Sequence, residues 1–172
     1  LAKNMAKRGV DMIWLGDDVG GQNCMLISPD MWRFYFKERM KTIIAEVKAI
    51  NPAIKVAYHS CGHVIPIIPD LIEIGLEVLN PIQAESMDLG LLQNEFGDQL
   101  SFFGGINVQS TLPFGTKQDI IDEVQHGMNT VGKDGGWICA PTHHVQLDTP
   151  MENFNTLVDT IHEMKYSTSA MS

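Results

Sequence analysis

Residues 55–62, Lys-Val-Ala-Tyr-His-Ser-Cys-Gly, join a short, largely apolar run to a loop of small residues. A run of this length, followed by small residues, predicts a strand that is covered on both faces, as in a parallel sheet. Four other runs have the same form and also end in small or polar residues. The five predicted strands cover residues 10–15, 55–59, 77–80, 100–103 and 136–140.

Longer amphipathic stretches separate the predicted strands. Ser28-Pro29-Asp30 has the form of a helix N-terminus, with a capping serine before proline at the first helical position. The predicted helices cover residues 31–50, 69–74, 87–96, 117–131 and 151–165, and residues 1–9 have the pattern of a helix end. Alternation of strands and helices predicts repeated βα units around a parallel sheet.

The number of βα units bears on the architecture. Five units cannot close an eight-stranded barrel, and the first residues have the pattern of a helix whose start lies upstream. We therefore expect an α/β fold that contains the last five βα units of a TIM (β/α)8 barrel. In this interpretation residues 1–172 form the C-terminal part of a single barrel domain. The alternative is a complete, doubly wound fold with five strands.

Composition limits the classes of function. Hydrophobic residues make up 44% of the chain, yet no run approaches the ~20 apolar residues of a membrane span. We expect a cytoplasmic protein without membrane contact. A net charge of −9 argues against nucleic acid as a partner, since phosphate binding needs clustered cations, and favours a small-molecule substrate. The oligomeric state stays open. The cysteines are odd in number and widely spaced, which argues against disulfides and predicts buried thiols or metal ligands: Cys24, Cys61 and Cys139.

His59 and Cys61 lie two residues apart where a predicted strand meets its loop. Residues i and i+2 of a strand point to the same face, which makes these two a candidate pair of metal ligands. Imidazole and thiolate suit Zn²⁺, which has three protein ligands in catalytic sites. Either Cys139 or His143, near the end of the last predicted strand, can supply the third ligand. The alternative is a buried cysteine beside a hydrogen-bonded histidine.

Carboxylates and amides follow other predicted strands. Asp17 and Asp18 are catalytic candidates, as acid, base or partner of substrate N–H groups, although strand alternation directs at most one of them into a barrel mouth. Loop or helix capping is their alternative role. The candidate substrate-binding residues are uncharged hydrogen-bonding groups: Asn80, Gln83, Asn107 and Gln109. We assign no role to His63, His126 and His162.

Several short motifs occur in order along the chain. They are Leu-Gly-Asp-Asp-Val-Gly at 15–20, Ser-Pro at 28–29, His-Ser-Cys-Gly at 59–62, Asn-Pro-Ile-Gln at 80–83, Gly-Gly-Ile-Asn-Val-Gln at 104–109, Gly-Gly at 135–136 and Asp-Thr-Pro-Met-Glu-Asn at 148–153. Together they resemble the uroporphyrinogen decarboxylase superfamily, which also contains the cobamide-dependent coenzyme M methyltransferases. The resemblance spans essentially the whole chain and implies the last five strands of that barrel.

The resemblance is mixed at the level of individual reactions. His59 and Cys61 match the His-x-Cys pair of the zinc-dependent methyltransferases, and authentic decarboxylases are not expected to have this pair. His143 falls where decarboxylases keep a substrate-site histidine and where the methyltransferases place their third zinc ligand. Asp18 falls near a position where decarboxylases carry a serine, which argues against decarboxylation.

The resemblance implies three hypotheses for function. The first is a zinc-dependent methyltransferase that moves a methyl group between a corrinoid protein, which carries methylcobamide, and a small thiol or similar acceptor. Zn²⁺ is then held by His59, Cys61 and either His143 or Cys139. The second is metal-free uroporphyrinogen decarboxylation in porphyrin biosynthesis, in which His143 contacts a substrate carboxylate. The third is a barrel without catalytic activity that binds tetrapyrroles or a corrinoid protein.

Overall fold

The computed structural model describes residues 1–164 and contains a sheet of five parallel strands. The strands are β1 (Met12–Gly16), β2 (Lys55–His59), β3 (Val78–Ile82), β4 (Ser101–Ile106) and β5 (Trp137–Pro141). Their order in the sheet is β1-β2-β3-β4-β5. Sequential order excludes the doubly wound alternative, in which strand order reverses at a switch point. The prediction of TIM-barrel βα units is therefore confirmed.

Helices separate successive strands. They are α1 (Ala2–Ala6), α2 (Pro29–Trp32), α3 (Glu38–Ile50), α4 (Ile68–Glu73), α5 (Leu89–Phe96), α6 (Thr111–Phe114), α7 (Lys117–Asn129) and α8 (Met151–Glu163). A π-helical turn, Arg33–Lys37, joins α2 to α3, so the helix predicted over 31–50 has three segments. Helix α6 was not predicted from the sequence, and the predicted helix end at Lys165 lies outside the described residues. Within residues 1–164, no helix combines the length and apolar character needed to cross a membrane.

The chain divides into two compact units, of which one is Leu1–Asn80 and the other begins at Pro81. A cluster in the first unit buries side chains of α1, β1 and α3 together with a residue just before β2: Ala6, Ile13, Val47 and Ile54. Leu15 packs against the same cluster, so Ile13 and Leu15 face α1 and α3. Burial of this apolar face is what holds the two helices on the sheet.

The pairing of β1 with β2 decides where His59 points. The strands pair Leu15 with Tyr58 and Gly16 with His59. Because side chains alternate along a strand, His59 faces away from α1 and α3. Trp14 faces the same way, and its ring centroid lies 6.4 Å from that of the His59 imidazole.

Trp137 organises the second unit around β4, β5 and α7. Its indole N–H donates a 3.0 Å hydrogen bond to the carbonyl oxygen of Gly104. A Cβ at Gly127 of α7 would lie 2.4 Å from the indole, and one at Gly105, where φ is +95°, would lie 3.3 Å from it. Only glycine fits this approach in β4. The strand therefore continues to Ile106, three residues past the predicted end at residue 103.

Candidate metal and catalytic site

The first unit brings the predicted metal ligands His59 and Cys61 together. His59 is the last residue of β2, and Cys61 lies in the loop that follows. The Cys61 Sγ lies 3.6 Å from the His59 Nε2, and both residues are partly buried. The two side chains are therefore close enough to bind the same metal ion or to exchange a proton with each other.

The other ring nitrogen of His59 is held by a neighbouring strand. Asn80 of β3 pairs with His59 in register, and its Oδ1 lies 2.6 Å from the His59 Nδ1. The Asn80 residue is 5% exposed. A short hydrogen bond at a buried position fixes the plane of the imidazole. The residue predicted to bind substrate thus contacts a predicted metal ligand.

Asp18 reaches both members of the pair. Its Oδ1 accepts a 2.9 Å hydrogen bond from the Cys61 backbone N–H and lies 3.7 Å from the His59 Nε2. Asp17 contributes backbone atoms: its N–H donates to the His59 carbonyl oxygen at 3.1 Å, and its own carbonyl oxygen accepts from Tyr58 at 2.8 Å. Of the two aspartates, the Asp18 carboxylate is therefore the one at the pair.

The loops after β1 and β2 are locked against each other. The Ser60 hydroxyl, which is fully buried, accepts the Val19 N–H at 3.0 Å. A Cβ at Gly20 would lie 2.4 Å from the Cys61 carbonyl oxygen. A Cβ at Gly62, where φ is +78°, would lie 2.4 Å from a backbone oxygen of the facing loop. These contacts fix the backbone that carries Cys61, and they were not predicted from the sequence.

Burial raises the pKa of the Cys61 thiol, and the negative charge of Asp18 raises it further. In metal-free protein the thiol therefore keeps its proton at neutral pH. A bound cation favours the thiolate by replacing that proton.

The second unit holds the remaining predicted residues. The Asn107 Oδ1 accepts backbone N–H groups of Gln109 at 2.7 Å and Ser110 at 2.8 Å, so it stabilises the turn before α6. Gln83 is buried, whereas Gln109 is exposed. His143 is exposed in the loop after β5, and its ring meets that of His144 edge to face, with centroids 4.9 Å apart.

Cys139 faces α7. It lies on β5 two residues after Trp137, so the two side chains share the face that packs on that helix. Burial raises the pKa of the Cys139 thiol to about 12, and the charge of Glu123 on α7 adds to this effect. The Cys139 side chain therefore lies in the layer between strand and helix.

Glu123 is a partly buried carboxylic acid with a shifted pKa that was not predicted from the sequence. Burial raises the pKa of its carboxyl to about 7; the charge of Glu85 adds to the rise, and the Asn107 N–H, 3.1 Å from Oε1, opposes it. The Thr111 side chain also lowers this pKa, although within residues 1–164 no donor has hydrogen-bond geometry to the buried Oε2 of Glu123. The available signal was helical spacing, because Glu123 lies between Ile120 and Val124, which are both buried.

Known proteins resemble this chain at the levels of family and structure. The family model described as uroporphyrinogen decarboxylase (URO-D) matches residues 1–164. A solved structure, a methyltransferase from Methanosarcina mazei, has 26% sequence identity and a TM-score of 0.73 over 94% of this chain. The chain spans 44% of the length of that methyltransferase. Curated protein sequences gave no match. Because the family model covers residues 1–164, the chain belongs to the uroporphyrinogen decarboxylase family.

Proposed function

We propose that this chain forms part of a zinc-dependent methyltransferase that transfers a methyl group between a corrinoid protein and a small thiol or similar acceptor. The observation that carries the proposal is the 3.6 Å between His59 Nε2 and Cys61 Sγ. Zinc bonds of about 2.0 Å to nitrogen and about 2.3 Å to sulfur, at a tetrahedral angle, place two such atoms about 3.5 Å apart. The distance between these two atoms therefore suits the binding of one zinc ion by both residues.

His143 is the proposed third ligand. Two imidazoles and a thiolate, which His59, Cys61 and His143 would supply together, are a donor set that suits zinc. Cys139 is the weaker candidate because it faces α7 and because burial raises its pKa to about 12, which disfavours the thiolate that a metal needs. His143 is exposed and can present a ring nitrogen.

Each residue of the His59–Cys61 pair has a hydrogen-bond partner that orients it for metal binding. Asp18 accepts the Cys61 N–H and so orients the thiol, while Asn80 orients the His59 ring. Bound Zn²⁺ lowers the pKa of a coordinated acceptor thiol. We retain Gln83 and Gln109 as candidates for binding the acceptor, since the Asn107 oxygen is used within its own turn.

The similarity to the methyltransferase from Methanosarcina mazei supports methyl transfer, at 26% identity. The description of the matching family model favours a second candidate, decarboxylation of uroporphyrinogen without a metal. The His59–Cys61 geometry argues for the first, because a metal-free decarboxylase has no use for a thiol and an imidazole at zinc-ligand spacing.

Metal analysis of the intact protein, purified without added metal, tests the proposal. We expect close to one zinc per protein, loss of that zinc in His59→Ala and in Cys61→Ala, and a sharp drop in affinity in His143→Ala. Cys139→Ala and Cys24→Ser are the matched controls and should keep the metal. Methyl transfer from methylcobalamin to a small thiol should follow metal content across the series.

The opposite pattern contradicts the proposal. If wild-type protein holds no zinc, and the double variant with alanine at 59 and 61 keeps its activity, the zinc mechanism is wrong. Turnover of uroporphyrinogen by the same metal-free protein would then establish the second candidate.

A further inference from the structure

We infer that Asn80 is a positioning residue that sets the tautomer of His59, so that Nδ1 carries the proton and Nε2 carries the metal-binding lone pair. The inference rests on the proposed zinc site and identifies the side chain that prepares one of its ligands. In this role Asn80 acts through His59.

The contact between the two side chains is short and buried. The Asn80 Oδ1 lies 2.6 Å from the His59 Nδ1, and Asn80 is 5% exposed. An amide oxygen can only accept a hydrogen bond, so the imidazole has to donate from Nδ1. A neutral imidazole has one N–H, and the lone pair therefore lies on Nε2.

The Nε2 lone pair points toward the proposed zinc position beside Cys61. Nε2 is the ring nitrogen that lies 3.6 Å from the Cys61 Sγ, whereas Nδ1 faces β3. With the opposite tautomer, an N–H would face the metal position, and the proton would have to move from Nε2 to Nδ1 before zinc could bind. The hydrogen bond thus removes a step from metal binding.

The backbone holds Asn80 beside His59 through strand pairing. Asn80 and His59 are register partners in β3 and β2, and the Asn80 carbonyl oxygen accepts the Ser60 N–H at 2.9 Å. The two side chains therefore project from adjacent strands on the same face of the sheet. This arrangement makes the hydrogen bond a property of the fold, independent of any bound metal.

Two substitutions of Asn80 in the intact protein distinguish the effect of its hydrogen-bond acceptor from the effect of its side-chain volume. Asn80→Leu keeps a similar size without a hydrogen bond, and Asn80→Asp keeps an oxygen acceptor while it removes the amide donor and adds a negative charge. Chelator competition should show zinc affinity about 10–100-fold weaker in Asn80→Leu, the usual effect of losing a hydrogen-bond partner of a metal ligand. Asn80→Asp should restore affinity to within a few-fold of wild type. Asn94→Ala, at an exposed position on α5, is the control and should bind zinc as wild type does.

Nitrogen-15 NMR of the imidazole in metal-free protein at pH 8 provides a readout that needs no activity. Wild type and Asn80→Asp should show a protonated Nδ1 and an unprotonated Nε2 at His59, and Asn80→Leu should gain the Nε2–H form. A structural role alone would leave the tautomer unchanged. The wild-type spectrum also keeps the inference testable if Asn80→Leu does not fold.

The outcomes distinguish this inference from the proposed function. An Nε2–H form in metal-free wild type, or zinc affinity in folded Asn80→Leu equal to wild type, overturns the role of Asn80. A wild-type protein with an Nδ1–H histidine and no affinity for zinc instead overturns the proposed metal site and leaves the tautomer assignment supported.

Discussion

Asp18 has two opposite effects on Cys61: it positions the Cys61 backbone for metal binding, but its charge disfavours the thiolate that a metal needs. Its carboxylate holds the Cys61 backbone through a 2.9 Å hydrogen bond. Burial raises the pKa of the Cys61 thiol, and the charge of the same carboxylate raises it further. Asp18 therefore positions the thiol and disfavours its ionisation until a cation is present.

Replacing Asp18 by asparagine should separate these two effects. An asparagine oxygen can still accept the Cys61 N–H, whereas loss of the negative charge should lower the pKa of the thiol. In a metal-free Cys24→Ser background, the pH at which iodoacetamide alkylates Cys61 should fall in Asp18→Asn. Asp17→Asn is the matched control, because its carboxylate does not contribute to the Cys61 pKa. Equal shifts in the two variants would refute the assignment.

At the scale of elements, the π-helical turn is tied to α4 by ion pairs. Arg33 and Lys37 both contact Asp70, with N···O distances of 3.0 and 2.7 Å. Burial raises the pKa of Asp70, but hydrogen bonds from Lys37 and Arg33 outweigh it and hold that pKa below its usual value. The turn therefore docks on α4 through a carboxylate that is 8% exposed.

Removal of Asp70 should weaken this connection more than removal of an exposed partner. Asp70→Ala leaves two cations without their shared carboxylate, and we expect the free energy of unfolding to fall by about 2–3 kcal/mol. Glu73→Ala, which removes the second and exposed partner of Lys37, should cost less than about 1 kcal/mol. Denaturant titration of both variants measures the difference. If both variants lose the same free energy of unfolding, the buried position of Asp70 does not strengthen its ion pairs.

At the scale of the whole molecule, Glu123 should make folding stability depend on pH. Burial, supported by the charge of Glu85, raises the pKa of its carboxyl from 4.5 to about 7 in the folded protein. Between these values the unfolded chain loses the proton while the folded chain keeps it. Its contribution to stability is therefore full below about pH 4.5 and is lost as pH rises through about 7.

Glu123→Gln should remove this part of the pH dependence. Glutamine is neutral and keeps an oxygen for the Asn107 N–H, so at pH 8 the variant should be more stable than wild type by up to about 3 kcal/mol. At pH 5 the two proteins should differ little. Chemical denaturation at both pH values provides the measurement, with Glu95→Gln at an exposed position of α5 as control. A pH-independent difference would contradict the shifted pKa.

The fold was predictable where local pattern and tertiary environment agree. Strand β2 has the predicted bounds, because a parallel strand covered on both faces is an apolar run. The predicted end of β4 was wrong because Gly104 and Gly105 look like a turn in sequence, whereas Trp137 requires glycine within the strand. Packing outweighed local preference at that position.

The candidate site was predictable only in part for a related reason. His59 and Cys61 are two residues apart, so strand alternation alone places them on one face. The contact from Asn80 to His59 spans 21 residues along the chain and depends on the register of β3. No local pattern reveals such a register, so the contact between Asn80 and His59 could not be predicted from the sequence, and substrate binding by Asn80 stays a prediction.

The close approach of Gly20 and Gly62 restricts how this site can diverge. A side chain at position 20 collides with the Cys61 carbonyl oxygen, and one at position 62 collides with the facing loop and also needs a φ of +78°. Both substitutions add atoms to the same gap, so neither can compensate for the other. A mutant library that seeks new acceptors should keep both codons as glycine and vary exposed positions such as Gln109, where added volume meets solvent.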